Sequence, residues 1–385
     1  MRYAIVGAGT AGQAAALFLT RAGHAVELFE RVPVPSAVGA GILLQPTGMG
    51  VLARLGLLDE VLARGARVDR LRGHTLGGRR VLDLAYTDLR ADAFGLGLHR
   101  GVLHTVLSRA VDAAGIPLHT GVPVETFCEH ADHVRLAGQR WDRVVVADGA
   151  RSQLRPPWAR VDPYPWGAVW LVRPYTRLFP DGPRNVLYQV YDDTRRMVGF
   201  LPTGIGPAPD ATAPLVSLFW SIRADAVPAW RRRGVEAWKA EVRGMVGGLD
   251  LDDVVEGDEL IFAPYFDVRM SRWHTDRVVW LGDAAHAMSP QLGQGANLAL
   301  YDALVLAESD TLAAYTARRR AHVGFYSFAS RWLTPFFQSS FPVLAPLRDG
   351  VAGPLHAWDW YRRQMVESLC GAKAGLLPGV EVPVP

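Results

Sequence analysis

Three glycine-rich turns carry residue types and spacings from which chemistry can be built. The first, Gly7-x-Gly9-x-x-Gly12, lies between an apolar run, Tyr3 to Val6, and an alanine-rich run, Ala14 to Arg21. Gly7 permits a tight turn, Gly9 lets main chain approach a pyrophosphate, and Gly12 lets strand and helix pack closely. The helix start adds N–H groups and the positive end of the helix dipole, which together favour an anion. Glu30 closes the next apolar run, Ala25 to Glu30, where a carboxylate accepts hydrogen bonds from an adenosine ribose. Strand, turn, helix and acid in that order point to a bound dinucleotide, without saying which one.

The second turn, Asp148-Gly149-x-x-Ser152-x-Leu154-Arg155, follows the strand-like run Val144 to Ala147. The third begins Gly282-Asp283-Ala-Ala-His286 after Val278 to Leu281. It continues as Pro290-x-x-Gly293-Gln294-Gly295-Ala296-Asn297 into an apolar helix. An aspartate at a strand end can bind a polyol hydroxyl. A glycine loop opening a helix presents N–H groups and partial positive charge. That device suits a ring edge on which negative charge builds during reduction, such as the N1–C2=O edge of a flavin.

All three turns, in this order and spacing, resemble the single-component flavin aromatic hydroxylases typified by para-hydroxybenzoate hydroxylase, and most nearly the smaller salicylate and urate hydroxylase branch. The resemblance covers nearly the whole chain. It implies an FAD held tightly without a covalent bond, NAD(P)H as a passing co-substrate, and O2 activated as a flavin C4a-hydroperoxide that hydroxylates a small aromatic or heteroaromatic substrate. Residue by residue, it implies that Glu30 and Arg31 hold the adenosine end and that main chain at Val124 meets adenine. Arg100 falls beside the ribityl chain and pyrophosphate, and Asp148 and Gly149 lie in a stretch that touches flavin and nicotinamide. Asp283 meets the ribityl chain or pyrophosphate, and Pro290 and Gly293 to Asn297 meet the ring, with Gly39 to Leu44 running along it. Tyr301-Asp302 departs from the acidic pair common after the third turn. Alternatives are a flavin-dependent halogenase and a non-catalytic FAD-binding protein. The first would need a Trp-x-Trp-x-Ile-Pro segment and an active-site lysine, and the chain has only Lys239 and Lys373.

The elements that must position these turns read as α/β. A Rossmann-like FAD-binding domain of the glutathione-reductase type is expected from residues 1–72, 92–160 and 272–325. Residues 47–65 and 101–114 read as helices within it, from leucine and valine at helical spacing. An inserted antiparallel-sheet substrate domain is expected from 73–91 and 161–271. Its runs 168–172, 186–191, 197–201, 215–222 and 260–268 read as strands, 235–246 as a helix, and 74–86 as a hairpin around Gly77-Gly78. A helical region, 326–385, follows. Its aromatic stretch from Phe325 to Phe341 fits a core or pocket roof first, a dimer face second and a membrane contact third.

A chain of 385 residues exceeds what one core usually serves. A net charge of +3 argues against a nucleic-acid surface. Two cysteines, Cys128 and Cys370, can neither staple a fold nor build a zinc site, and no metal site is expected. A cytoplasmic monomer or homodimer without stable membrane attachment is the expectation. For a catalytic base or proton relay the weak candidates are Tyr188, Tyr191, Tyr265 and His74 on the sheet; His286 is expected to make a structural hydrogen bond.

Overall fold

The run Arg2–Val6 lies in the middle of a five-stranded parallel sheet, ordered Val278–Trp280, Arg143–Val146, Arg2–Val6, Ala25–Glu30 and Leu118–Thr120. Such strands are covered on both faces and so read as continuous apolar runs. Ile5, Leu28 and Val145 are fully buried, each contributing about 1.5–3 kcal/mol. Helix Thr10–Arg21 packs its alanines between this sheet and helices Arg100–Ala113 and Gly295–Ala307. The computed structural model describes residues 1–35, 40–255, 260–356 and 358–375.

A second sheet has seven strands, ordered Ile261–Arg269, Arg160–Pro174, Leu215–Arg223, Arg196–Gly204, Val186–Asp192, Arg70–Thr75 and Arg80–Ala85. The expected antiparallel layer is therefore present, with one correction. The hairpin joins it through a parallel pairing of Arg70–Thr75 with Val186–Asp192. Away from its bulges at Pro163–Gly167, Pro202–Gly204 and Gly73–His74, side chains alternate across this sheet. Val198, Phe200, Leu218 and Trp220 face helix Val227–Met245, whereas Leu71, Leu187, Met197 and Phe219 face the opposite way.

Between the two layers lies a three-stranded antiparallel sheet, Gly41–Leu44, Gly95–His99 and Ala66–Val68, which the sequence reading does not anticipate. The expected helix over 47–65 is two helices, Pro46–Arg54 and Leu58–Leu62, parted at Gly56, whose φ of 69° no helix tolerates. Helices Leu312–Phe337, Leu344–His356 and Asp359–Leu369 form the C-terminal region, and the last two pack on the edge strand Arg80–Ala85. Among the described residues no helix is long and apolar enough to cross a membrane, and no cluster has metal-ligand geometry.

Candidate functional site

The three turns converge at the carboxyl ends of the parallel strands. At the first, a Cβ on Gly12 would sit 1.9 Å from the Gly7 carbonyl oxygen, so only glycine lets this helix approach its strand. Helix Thr10–Arg21 begins without a side-chain cap, and a Cβ on Gly9 would meet nothing within 4 Å. The result is a set of uncapped N–H groups facing open space. The Glu30 carboxylate accepts from the Ala8 N–H at 2.9 Å and the Val32 N–H at 3.0 Å, which ties the turn to the next strand. Arg31 is exposed nearby, and Val124 is half-buried in the loop packed against the same core.

Arg155 locks the second turn to the third. Its guanidinium donates to the carbonyls of Gly149, Ala150, Ser152, Asp283 and Ala284, at 2.8–3.1 Å. Beside it, one oxygen of Asp148 is buried without a partner. Burial pushes the Asp148 carboxyl above its usual range, against the opposing pull of the Ser152 hydroxyl and Arg155. The Asp283 side chain stands exposed at the start of the next short helix.

The third turn ends in a second uncapped helix start, Gly295–Ala307. Gly293 adopts φ 61°, and a Cβ on Gly295 would come no nearer than 3.9 Å to any neighbour. Asn297 belongs to the turn but spends its side chain on protein. Its oxygen accepts from the Gln45 N–H at 2.8 Å, and its nitrogen donates to Leu43 at 3.1 Å and Gly293 at 3.0 Å. Gln294 likewise donates to the Leu369 carbonyl, leaving its own oxygen buried and unpartnered. Both residues hold the loop from behind.

His286 makes the structural hydrogen bond expected of it, 2.7 Å to the Asp302 carboxylate. Asp302, fully buried, also accepts from the Gly282 N–H at 2.8 Å and from Arg319 at 2.7 Å. Burial would raise the Asp302 carboxyl, but His286 and Arg319 outweigh it and hold it well below the usual range. Arg319 donates in turn to His322, whose other ring nitrogen donates to the Gly371 carbonyl at 2.7 Å. Burial and the Arg319 charge lower His322 to about 3, so it is neutral, with the tautomer those two bonds require.

One cavity of about 720 Å³ joins these parts. It runs from Gly9 and Arg100, past Asp283, Pro290, Gly293, Gly295 and Ala296, to the outer face of the seven-stranded sheet under the C-terminal helices. Gly41, Ile42 and Leu43 line its flank; Gly39, expected there too, lies outside the described residues. Tyr191 and Tyr265 open into it, and burial pushes both hydroxyls well above the ordinary range. Tyr188 and His74 do not reach it, which corrects their candidacy. Both stand one residue out of phase with the cavity face, packed together with centroids 6.0 Å apart on the side of helix Val227–Met245. From the aromatic C-terminal stretch, Trp332, Phe336 and Phe337 roof the cavity, while Phe328 and Phe341 are exposed. Gln189 and Arg348, also in the wall, have no sequence signal that would single them out.

Two uncapped helix starts, an orphaned carboxylate oxygen and open glycines around one elongated cavity fit a dinucleotide whose far end is a ring. Residues 1–323 match the protein family described as FAD binding domain. The chain belongs to that family. The FAD-binding chain is 31% identical over 328 residues to the 3-amino-4-hydroxybenzoate 2-monooxygenase of Streptomyces cremeus, covering 80% of this chain and 77% of the relative. It is 28% identical over 322 residues to a probable 2-heptyl-3-hydroxy-4(1H)-quinolone synthase of Rhodococcus erythropolis, covering 79% and 78%. The structure of p-nitrophenol 4-monooxygenase from Pseudomonas putida shares the fold, with a TM-score of 0.80 at 20% identity over 96% of this chain and 98% of that one. The FAD-binding chain is thus a flavoprotein monooxygenase, and the halogenase alternative is not favoured.

Proposed function

We propose that this enzyme hydroxylates a small aromatic or heteroaromatic substrate, taking electrons from NAD(P)H and one oxygen atom from O2. The observation that carries the reading is the continuity of one cavity from the glycine turn, past the second uncapped helix start, to a sheet face lined by side chains. Bound, non-covalent FAD supplies the redox chemistry and the activation of oxygen.

Gly7, Gly9 and Gly12 would take the pyrophosphate, Glu30 and Arg31 the adenosine end with main chain at Val124, and Arg100 and Asp283 the chain between. Asp148 and Gly149 would flank the ring, with Pro290 and Gly293 to Ala296 at its edge, where the helix start stabilises developing negative charge. Gln294 and Asn297 act as positioning residues, since their side chains are committed to Leu369, Leu43 and Gln45. The roof of Trp332, Phe336 and Phe337 excludes water from the reacting ring. The Tyr191 hydroxyl donates to Gln189 at 2.8 Å, and burial favours the protonated form of both Tyr191 and Tyr265.

With one dinucleotide fingerprint in the chain, NAD(P)H binds transiently at the seam. The division into an FAD-binding domain, a sheet domain and a helical C-terminal region belongs to the same proposal. So does a cytoplasmic monomer or homodimer, for which unpaired Cys128 and Cys370 are fitting. The relatives' names, a hydroxybenzoate and an alkylquinolone, support the aromatic class and leave the charge of this chain's substrate open. The test is product mass spectrometry under ¹⁸O2. One labelled oxygen in the product is expected, and oxidation without label would overturn the reading.

A further inference from the structure

His286, in the third turn, also faces a second pocket of about 280 Å³, which shares no lining residue with the flavin cavity. One wall of this pocket is a single stripe of helix Leu312–Phe337. Arg320, Gly324, Ser327 and Arg331 follow one another at steps of four, three and four residues, which stacks them on one helix face. Gly324 gives the stripe its hollow, since a Cβ there would meet nothing within 4 Å. Arg269, the last residue of strand Ile261–Arg269, lines the pocket from the seven-stranded sheet.

The lining suits negative charge. Among its described residues there is no carboxylate. Arg269, Arg320 and Arg331 each have a single nitrogen in a hydrogen bond, to Asp162, the Ser271 carbonyl and the Ser327 carbonyl respectively. Another carboxylate close by, Asp267, stands 3.4 Å from Arg269 and 3.9 Å from Arg331 without a hydrogen bond to either. Most of the guanidinium N–H groups therefore remain open to an acceptor. Two polar side chains more than nine-tenths buried line the same space. His286, 4% exposed, spends Nε2 on Asp302 and leaves Nδ1 without a protein partner. Ser327, 8% exposed, has a hydroxyl that bonds to no protein group either. Both lack the partner that a buried polar group ordinarily has.

We propose that this pocket binds a phosphate-type oxyanion, free or carried on a nucleotide, at a site distinct from those of FAD and of the hydroxylated substrate. Three guanidinia on two separate elements surround the hollow. A planar carboxylate engages one such fork, whereas a tetrahedral dianion offers oxygens to all three. The Ser327 hydroxyl donates to one of those oxygens. The His286 Nδ1 accepts from a hydrogen phosphate or, when protonated, donates to it. His286 links the pocket through Asp302 to the Gly282 N–H, where the third turn begins.

The test is titration calorimetry of the FAD-loaded enzyme, whose pyrophosphate site is then filled, with chloride holding the ionic strength constant. The probes are inorganic phosphate, 2′-AMP and acetate. Saturable binding of one phosphate group per chain is expected from inorganic phosphate, from 2′-AMP or from both, and the tighter of the two assigns the source. Acetate should bind at least about tenfold more weakly. Arg331→Met removes charge-assisted hydrogen bonds and should weaken the phosphate probe at least about tenfold. Gly324→Leu keeps every charge but fills the hollow, and should abolish binding. That position is exposed, and leucine favours a helix over glycine, so the variant is expected to fold. A flavin band equal to that of wild type checks the fold of both variants. The inference is overturned if neither phosphate probe binds saturably, if acetate binds as tightly, or if Gly324→Leu binds phosphate as wild type does. None of these outcomes bears on hydroxylation, which the labelled-oxygen experiment decides on its own.

Discussion

The glycine-turn end of the cavity and its sheet end recognise their occupants by different means. At the glycine-turn end the contacts are main-chain N–H groups at two uncapped helix starts, and the side chains nearby mostly hold loops in place. At the sheet end the wall is made of side chains from separate strands and from the C-terminal helices further along the chain. Main-chain recognition demands particular backbone geometry, and hence glycine at fixed spacing. Side-chain recognition demands only volume and polarity, which many sequences supply. One end can therefore stay constant while the other is remade for a new substrate.

The contrast can be broken most severely behind the glycine turns. Arg319→Leu leaves Asp302 buried with its charge only partly compensated. A loss of about 3–5 kcal/mol in stability is expected, read by urea unfolding. A loss under 1 kcal/mol would mean that the network is ornamental. Gly12→Ala drives a Cβ against the Gly7 carbonyl, and at least ~2 kcal/mol is expected from overpacking. It should show as a lower melting temperature together with a depleted flavin band.

Asp283→Ala tests the glycine-turn end without touching its packing, because that side chain is exposed. Removing charged hydrogen bonds worth about 1.5–3 kcal/mol should weaken FAD binding ten- to a hundredfold, measured by fluorescence titration of apoprotein. Unchanged affinity would mean the third turn is misassigned. His322 gives a smaller, pH-linked effect. Its folded pKa is lowered from 6.5 to about 3, so the unfolded chain takes the proton first. The stabilisation is complete above pH 6.5 and is lost as pH falls from there towards 3. Wild type should lose ~1.4 kcal/mol per pH unit in that window relative to His322→Asn; parallel curves would refute the assignment. The smallest effect is expected on the far side of the sheet. Tyr188→Phe should shift the activation barrier in kcat/KM by less than ~0.5 kcal/mol, whereas a larger loss would restore Tyr188 as a catalytic candidate.

These outcomes bear on how much was legible in the chain. Four of the five parallel strands, the three turns and the hairpin at Gly77-Gly78 were readable because each depends on local backbone demands, whereas the short edge strand Leu118–Thr120 was not. The parity of Val186–Asp192 was not. Both faces of that strand are covered, one by helix Val227–Met245 and one by the cavity roof. Hydrophobic alternation therefore cannot tell Tyr188 from Gln189. The same ambiguity misplaced His74 beside Tyr188. Arg348 and Asp349 were invisible for another reason: an arginine next to an aspartate on a helix is ordinary, and only the fold puts Tyr191 beneath it. The three-stranded sheet around Gly95–His99 escaped because its strands are short and far apart in sequence.

The stretch from Leu369 to Gly371 has a consequence for how the chain is made. Leu369 accepts from Gln294, 75 residues earlier; Cys370 accepts from the Thr47 hydroxyl, 323 residues earlier; and Gly371 accepts from His322. These three carbonyls fasten the loop of the second helix start, the helix beneath it and the long C-terminal helix at one point. A nascent chain lacks all three until translation has passed them. Four strands of the parallel sheet are made before residue 147, its edge strand Val278–Trp280 comes later, and the fastening at Leu369 to Gly371 can form only once that stretch has emerged.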